Sequence, residues 1–299
     1  METTAQDVKQ WTVLSLIERG TQFLQEKGIE SARLNCELLL CHVLRCGRID
    51  LYLKFDQPLS ADELGVFKIL LKRRAEHEPL QYIVGETEFM GLKFAVDSCV
   101  LIPRPETELL VEEIIALSRN NPENVRRILE IGTGSGNIAV SLAKFIPDCS
   151  VETIEVSDDA IALAHKNIHR HHCENRVKVL KGNILQDCSS VLHDRYDVIV
   201  ANPPYISVEE FQLLPPEVKE FEPAIALTDG SDGLSFYRVI ADVGTGYLCR
   251  DGRVIVEIGY HLADDVVQIF TRPEYSGIQT IRDYDKNIRI VKAQFCGKQ

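Results

Sequence analysis

The chain has 299 residues, of which 45% are hydrophobic, and a formal net charge of −12. This length allows one large domain or two ordinary ones with a true hydrophobic core. No apolar run approaches the roughly 18 residues that a membrane span needs, so a membrane protein is not expected. Nearly all of the acidic excess lies after residue 80, which argues against a nucleic-acid partner because phosphate contacts dominate that affinity.

The N-terminus and the cysteines indicate the cellular location. Residues 1–10 are polar and contain neither the apolar core of a signal peptide nor an Arg-rich transit segment. The nine cysteines are scattered without a Cys-x-x-Cys pair, which is typical of reduced thiols in the cytosol. We therefore predict a cytoplasmic protein.

Residues 1–78 are predicted to form an all-helical domain. Apolar residues recur at helical spacing within 6–27 and within 31–46, and a glycine follows each segment. Ser60 and Glu63 have the spacing of a capping box, which predicts a further helix. Because this region contains no constellation of catalytic side chains, we assign it a substrate-docking role.

Residues 79–103 are predicted to be a β-hairpin that links two domains. Tyr82–Gly85 and Phe89–Val96 contain residues that favour strands, together with glycines that favour turns. Pro105 then suits the first position of a helix. We place the second domain at residues 104–299.

Residues 104–299 alternate between strand and helix, which is the pattern of a parallel sheet. Strands are predicted at 127–131, 151–156, 177–180, 196–201 and 253–258, and helices at 137–145, 158–171, 234–248 and 263–270. Two further strands, 279–284 and 288–295, are predicted to form a closing antiparallel hairpin. The predicted fold class is therefore α/β, a seven-stranded sheet with an antiparallel terminal hairpin, plus an all-helical N-terminal domain joined by a β-hairpin.

A glycine-rich loop lies between the first of these strands and the first of these helices. It contains Gly132, Thr133, Gly134, Ser135 and Gly136. Glycines let the backbone turn sharply and let a ligand approach it closely. No Gly-Lys-Ser/Thr follows, and the third glycine comes one residue earlier than in the dinucleotide fingerprint, so the loop indicates a nucleoside-type cofactor.

Two acidic residues accompany this loop. Glu155 ends the next strand, where a carboxylate can accept hydrogen bonds from two ribose hydroxyls. Glu130 stands just before the glycines. It is interpreted either as facing an ammonium group of the cofactor or as a solvated carboxylate at the strand end.

The tetrapeptide Asn202-Pro203-Pro204-Tyr205 follows the strand at 196–201. Neither proline can donate a ladder hydrogen bond, and each favours an extended conformation of the residue before it. The tetrapeptide is thus expected at the carboxyl edge of the sheet, where open α/β sheets bind ligands. The side-chain oxygen of Asn202 and the carbonyl of Pro203 can each accept one N–H of a planar –NH2 group, and Tyr205 can lie against its plane.

Together, the glycine loop, the acidic strand end and the tetrapeptide resemble the class I, Rossmann-like methyltransferases that use S-adenosyl-L-methionine. The tetrapeptide restricts this comparison to enzymes that methylate a planar –NH2 group. Leu101–Glu108, Leu129–Gly136 and Phe221–Pro223 followed by Asp229–Leu234 are similar to the PrmC (HemK) family, the bacterial glutamine methyltransferases of peptide-chain release factors. The resemblance covers nearly the whole chain.

The resemblance implies a substrate, a cofactor and a site. The expected substrate is the glutamine of the Gly-Gly-Gln motif in class 1 release factors, methylated on its side-chain nitrogen N5, with S-adenosyl-L-homocysteine as second product and no metal. The expected cofactor contacts are Glu130, Gly132, Thr133, Gly134, Ser135, Gly136, Glu155, Asn183, Ile184 and Asn202, and the expected catalytic residues are Asn202, Pro203, Pro204 and Tyr205. Asn183 and Ile184 stand where the family often has an acidic residue and an aromatic near the adenine.

Two alternatives remain open. A DNA adenine-N6 methyltransferase shares the tetrapeptide, but the acidic charge and the lack of an evident target-recognition domain count against it. The other alternative is a non-catalytic cofactor-binding module that docks a partner through the helical domain, and the intact tetrapeptide argues against it.

Overall fold

The computed structural model describes residues 11–120, 125–186, 190–193 and 195–297. The chain divides into two compact units, with the boundary between Gly85 and Glu86. Within the described ranges, no helix is both long and apolar enough to traverse a lipid bilayer.

The first unit is helical. Its helices are α1 (Val13–Glu26), α2 (Ala32–Leu44), α3 (Arg48–Leu53), α4 (Ala61–Ala75) and α5 (Leu80–Val84). The predicted capping box begins α4: Ser60 Oγ accepts the Glu63 N–H, and the Glu63 carboxylate accepts the Ser60 N–H. Leu24, Leu39 and Phe67 lie in the shared core of α1, α2 and α4.

The predicted strand at Tyr82–Gly85 is wrong, because Leu80–Val84 form α5. Tyr82 and Ile83 are buried, and Ile83 belongs to the core of the helical unit. Tertiary packing therefore overrides the strand preference of these side chains. The hairpin itself consists of β1 (Glu86–Phe89) and β2 (Leu92–Ala95), which pair antiparallel within the second unit.

A seven-stranded sheet organises the second unit and confirms the predicted fold class. Its strands are β3 (Arg127–Ile131), β4 (Ser150–Glu155), β5 (Val177–Lys181), β6 (Tyr196–Ala201), β7 (Leu248–Glu257), β8 (Tyr275–Arg282) and β9 (Ile288–Phe295). Their spatial order is β5-β4-β3-β6-β7-β9-β8. The first five strands in this order, β5, β4, β3, β6 and β7, are parallel, and β9 is antiparallel to its neighbours β7 and β8. The chain order reverses between β3 and β6, and open sheets bind ligands at such a point.

Helices cover both faces of this sheet. The covering helices are α6 (Glu108–Asn120), α7 (Asn137–Phe145), α8 (Asp158–Arg170), α11 (Ser235–Tyr247) and α12 (Ala263–Phe270). Two short helices, α9 (Val208–Gln212) and α10 (Pro216–Lys219), bury no residue. Alternate strand residues enter opposite cores: Leu129 and Ile131 pack with α11 and α12, whereas Ile128 packs with α6 and α7. Burial on both faces explains why the central strands are almost continuously apolar.

Two strands begin several residues earlier than predicted. β7 begins at Leu248 rather than at 253, since Leu248 already pairs with Tyr196 before an irregularity in the register. β8 spans 275–282 rather than 279–284, because Tyr275 pairs with Phe295. In both strands the partner determines where pairing begins.

Candidate active site

The carboxyl ends of β3, β4 and β6 open into one cavity with ≈ 1260 Å³ of empty space, part of it open to solvent. Most of the residues that the sequence singled out line this cavity: Gly132, Thr133, Gly134, Ser135, Glu155, Asn183, Ile184, Asn202, Pro203 and Pro204. Glu130, Gly136 and Tyr205 do not belong to its lining. The roles predicted for all of these residues remain predictions.

The glycine loop adopts a conformation that ordinary residues avoid. Gly132, Gly134 and Gly136 have φ of 87°, 50° and 78°, in the left-handed region where a Cβ is strained. A Cβ added at Gly132 or Gly134 would meet nothing within 4 Å. Backbone conformation rather than crowding therefore requires glycine there, and the free space beside the loop is room for a ligand.

Glu155 connects the glycine loop to the end of β4. Its Oε2 accepts the Gly134 N–H at 3.1 Å, and its Oε1 accepts the N–H groups of Val156 and Ser157 at 2.8 and 3.0 Å. An ionised carboxylate offers about four acceptor positions, so capacity remains for a ligand hydroxyl. The fixed carboxylate fits the diol of a ribose.

Glu130 is fully buried, at 0% exposure, so the interpretation as a solvated carboxylate is wrong. Burial, together with the charge of Glu155, raises the pKa of Glu130 to about 8 against the lowering influence of Thr153 and the Ala139 N–H. Neither opposing group is in hydrogen-bonding geometry, and neither carboxylate oxygen has a partner among the described residues. The Thr153 hydroxyl is instead 2.7 Å from that of Thr133. A buried carboxylate without a partner, close in sequence to the glycine loop, fits a cofactor that carries an ammonium group.

The side chain of Asn202 is oriented by a residue that sequence reasoning did not identify. Asn202 Nδ2 donates a hydrogen bond of 3.0 Å to Thr107 Oγ1, and Thr107 is 2% exposed. With its donor group committed to Thr107, the amide leaves Oδ1 as an acceptor for a ligand. The only sequence signal for Thr107 was its place within the motif Leu101–Glu108.

Tyr205, the last residue of the tetrapeptide, packs against Gly233 and Gly259. A Cβ at Gly259 would lie 3.2 Å from the Tyr205 ring, and a Cβ at Gly233 would lie 2.4 Å from the Tyr205 carbonyl oxygen. Burial raises the pKa of Tyr205 to about 12, and the charge of Glu257 contributes. The phenol is therefore neutral at physiological pH, and its predicted contact with the plane of the substrate amide remains a prediction.

The motif Asp229–Leu234 supports this packing. The Asp229 carboxylate accepts hydrogen bonds from the N–H groups of Ser231, Gly233 and Ser235 at 2.8 to 3.0 Å. Gly233 has φ of 79°, and its lack of a side chain permits the close approach of Tyr205. The motif thus holds the residue that follows Pro204.

Asn183 and Ile184 lie at the cavity beyond β5. Asn183 Oδ1 accepts the Leu185 N–H at 3.0 Å, which shapes the turn after the strand. Ile184 is 5% exposed and belongs to the core on the α11 side of the sheet. Ile184 can therefore present a rigid apolar surface to a flat ring, as predicted for the adenine.

An ion pair attaches the segment at 206–230 to the residues that precede α6. The Glu222 carboxylate is paired with the guanidinium of Arg104 and also accepts the Ile102 N–H at 3.3 Å. The Glu222 side chain is 1% exposed, whereas that of Arg104 is 35% exposed. Because Arg104, Ile225 and Ala226 line the cavity, this pair also shapes the cavity wall.

Glu222→Ala is expected to lower the free energy of unfolding of the second unit by about 2 kcal/mol, because it leaves a partly buried cation without its partner. The exposure of Arg104 keeps the loss below that of a fully buried pair. Differential scanning calorimetry would measure the change. The exposed pair of Arg272 and Asp242 provides the control, since Asp242→Ala should cost under about 1 kcal/mol; equal losses in the two variants would contradict the assignment.

The amino-acid sequence and the fold are similar to those of known proteins. Family models match the PrmC N-terminal domain at residues 15–85 and the methyltransferase small domain at residues 105–214. A release factor glutamine methyltransferase of Geobacter sulfurreducens is 43% identical over 281 residues, which cover 94% of this chain and 96% of that protein. One from Rhodopirellula baltica is 36% identical over 297 residues, 98% of this chain and 99% of that protein. A methyltransferase structure from Pyrococcus furiosus, with TM-score 0.51 and 21% identity over 70% of this chain and 91% of that one, shares the fold.

Proposed function

This chain belongs to the release factor glutamine methyltransferase family, and from that membership we propose its reaction. It transfers a methyl group from S-adenosyl-L-methionine to the side-chain nitrogen N5 of the glutamine in the Gly-Gly-Gln motif of class 1 peptide-chain release factors. The observation that carries this proposal is the orientation of Asn202, whose amide nitrogen is bonded to Thr107 so that its oxygen can accept from a substrate amide. Since the substrate is a translation factor, the reaction belongs in the cytoplasm.

The cofactor half of the proposal rests on the loop and the two acidic residues beside it. When bound, S-adenosyl-L-methionine supplies an activated methyl group and is converted to S-adenosyl-L-homocysteine. Glu155 is placed to accept hydrogen bonds from the ribose, and the glycine loop leaves room for close approach. Glu130 offers a buried carboxyl group without a partner among the described residues, and a neighbouring ammonium group would favour its ionised form. The proposal includes no metal, because methyl transfer from a sulfonium releases a neutral thioether.

The substrate half rests on the tetrapeptide. An amide nitrogen is a poor nucleophile because its lone pair is delocalised into the carbonyl. Asn202 Oδ1 and the Pro203 carbonyl, by accepting its two N–H bonds, favour the positive charge that develops on nitrogen during attack. They also fix the nitrogen in line with the methyl group, and such positioning can contribute roughly 7–11 kcal/mol in favourable cases.

The domain assignment completes the proposal. The helical domain, predicted at 1–78, extends to Gly85 and docks the release factor; the predicted linker at 79–103 is divided between the two units, and the second unit, from Glu86 onward, carries the chemistry. The PrmC N-terminal match at 15–85 supports a role specific to this family. The described cavity lies entirely within the second unit.

The decisive experiment is transfer of labelled methyl from S-adenosyl-L-methionine to a purified class 1 release factor. Its Gln→Asn loop variant and a duplex DNA serve as parallel substrates. Label on the wild-type factor alone supports both the reaction and the target residue. Label on DNA would make the chain a DNA methyltransferase, and absence of label with intact cofactor binding would favour a non-catalytic docking module.

A further inference from the structure

Glu257 is a buried carboxylate at the end of β7 that the proposed reaction has not used. It is 2% exposed, and its Oε2 has no hydrogen-bond partner among the described residues. β6 and β7 run parallel with Ala201 opposite Val256. The next residue along each strand is Asn202 on one and Glu257 on the other, so this carboxylate lies level with the substrate-gripping asparagine.

Thr107 is the neighbour that Asn202 and Glu257 share. Its hydroxyl oxygen accepts the Asn202 Nδ2–H at 3.0 Å, which leaves its own proton to be donated elsewhere. Hydrogen bonding by Thr107 lowers the pKa of Glu257, and a smaller influence of the same kind comes from Asn202. The register of β6 and β7 sets the carboxylate of Glu257 beside Asn202, and its Oε2, which has no partner among the described residues, is available to accept that proton.

We propose that ionised Glu257 is a positioning residue for the substrate amide, a role that rests on the proposed function. It accepts the Thr107 proton, so that the Thr107 oxygen must accept from Asn202 Nδ2 and Asn202 Oδ1 must face the substrate. An asparagine flipped by 180° would present its NH2 group to the NH2 group of the glutamine, and two donors repel. Nothing in an asparagine side chain alone distinguishes the two orientations strongly, so the selection has to come from a neighbouring group that can accept but not donate, as an ionised carboxylate does.

The groups around Glu257 make its charge sensitive to pH. Burial, together with the charge of Glu106, raises the pKa of Glu257 to about 7 against the lowering influence of Thr107, Arg289 and Asn202. The other titratable neighbours are the phenols of Tyr205, on the segment after β6, and Tyr237, on α11, whose pKa values burial raises. Tyr237 donates to the Glu257 main-chain oxygen at 2.9 Å, and Arg289 on β9 is bonded to Asp283.

The sign of the pH dependence follows from these surroundings. Both phenols remain neutral and Arg289 remains charged at neutral pH, so Glu257 is the member of this group that changes charge there. Below its pKa, Glu257 carries a proton and no longer requires the Thr107 hydroxyl as donor. The orientation of Asn202 is therefore secured as pH rises through about 7 and is relaxed as pH falls below it.

Glu257→Gln and Thr107→Val test the inference through turnover. Wild-type kcat for release-factor methylation should rise with pH through about 7. Glu257→Gln should lower the high-pH kcat roughly 10- to 100-fold, as expected for loss of a charged hydrogen-bond partner, and should abolish that inflection. KM for S-adenosyl-L-methionine should not change, since Glu257 does not line the cavity. The variant that combines Glu257→Gln with Thr107→Val should have a kcat no lower than that of either single variant, because each substitution removes the same chain of hydrogen bonds.

A second measurement does not depend on turnover. The 13C NMR shift of the Glu257 carboxyl carbon, followed against pH, should report a raised pKa in the wild type and a still higher one in Thr107→Val, since that variant removes a donor. Glu152→Gln is the control: this carboxylate on β4 is bonded to Lys178 and Tyr196, and its replacement should leave kcat and its pH profile unchanged.

The outcomes separate the inference from the proposed function. An active wild type, with Glu257→Gln equal to it in kcat and in pH profile, would overturn the inference alone. A wild type without methyl transfer would overturn the proposed function. In that case an unchanged Glu257 pKa in Thr107→Val would still overturn the hydrogen-bond chain.

Discussion

Replacing Asn202 by alanine is expected to lower kcat for methyl transfer to the release factor by about 10²- to 10³-fold, the usual cost of removing one group that stabilises transition-state charge. The variant loses the Oδ1 acceptor and with it one of the two contacts proposed to orient the substrate amide. The Pro203 carbonyl remains, so activity is reduced rather than abolished. Single-turnover rates at saturating cofactor would measure the chemical step without the contribution of product release.

Cofactor affinity provides the control for Asn202→Ala. Asn202 lines the cavity directly after β6, whereas the glycine loop follows β3 and Glu155 ends β4. Because Asn202 is one of ten predicted cofactor contacts, calorimetric titration with S-adenosyl-L-homocysteine should give a Kd within about tenfold of wild type, under about 1.4 kcal/mol, a smaller effect than that on kcat. Full turnover by a variant that binds the cofactor normally would refute the proposed role of Asn202.

Replacing Glu155 by alanine is expected to weaken binding of S-adenosyl-L-homocysteine about 100-fold. Glu155 already accepts three main-chain N–H groups, and one hydrogen bond from a ribose hydroxyl to its remaining acceptor position accounts for up to about 3 kcal/mol. The substitution also frees the N–H groups of Gly134, Val156 and Ser157, which loosens the connection between the glycine loop and β4. Isothermal titration calorimetry would measure the Kd, and circular dichroism would verify the fold.

Two further variants refine the result for Glu155. Glu155→Gln keeps one acceptor oxygen and should bind with intermediate affinity. Asp158→Ala removes a nearby carboxylate that is exposed and bonded to Lys181, and it should leave the Kd within about threefold of wild type, since exposed ion pairs contribute under 1 kcal/mol. Equal losses in Asp158→Ala and Glu155→Ala would indicate a general effect of negative charge rather than a contact with the ribose.

Local sequence signals account for most of the fold. α7, β6, α12 and β9 begin and end where the sequence predicted them, because glycines, prolines and runs of apolar residues mark the ends of these elements directly. Tyr82-Ile83-Val84 is the instructive exception. Its β-branched and aromatic residues fit either a strand or a buried helix, and only packing within the helical unit distinguishes the two.

The candidate site likewise contains some residues that the sequence predicted and others that only the structure identified. The amino-acid sequence by itself determined the glycine loop, Glu155 and the tetrapeptide, because each group is contiguous and the ends of parallel strands meet at one sheet edge. Only the tertiary structure decided which residues support them. Thr107 is 95 residues from Asn202 in the chain, and Glu257 reaches the same point through the pairing of β6 with β7. Hydrogen bonds and buried charges between such distant residues depend on three-dimensional contact, which local patterns of residues do not encode.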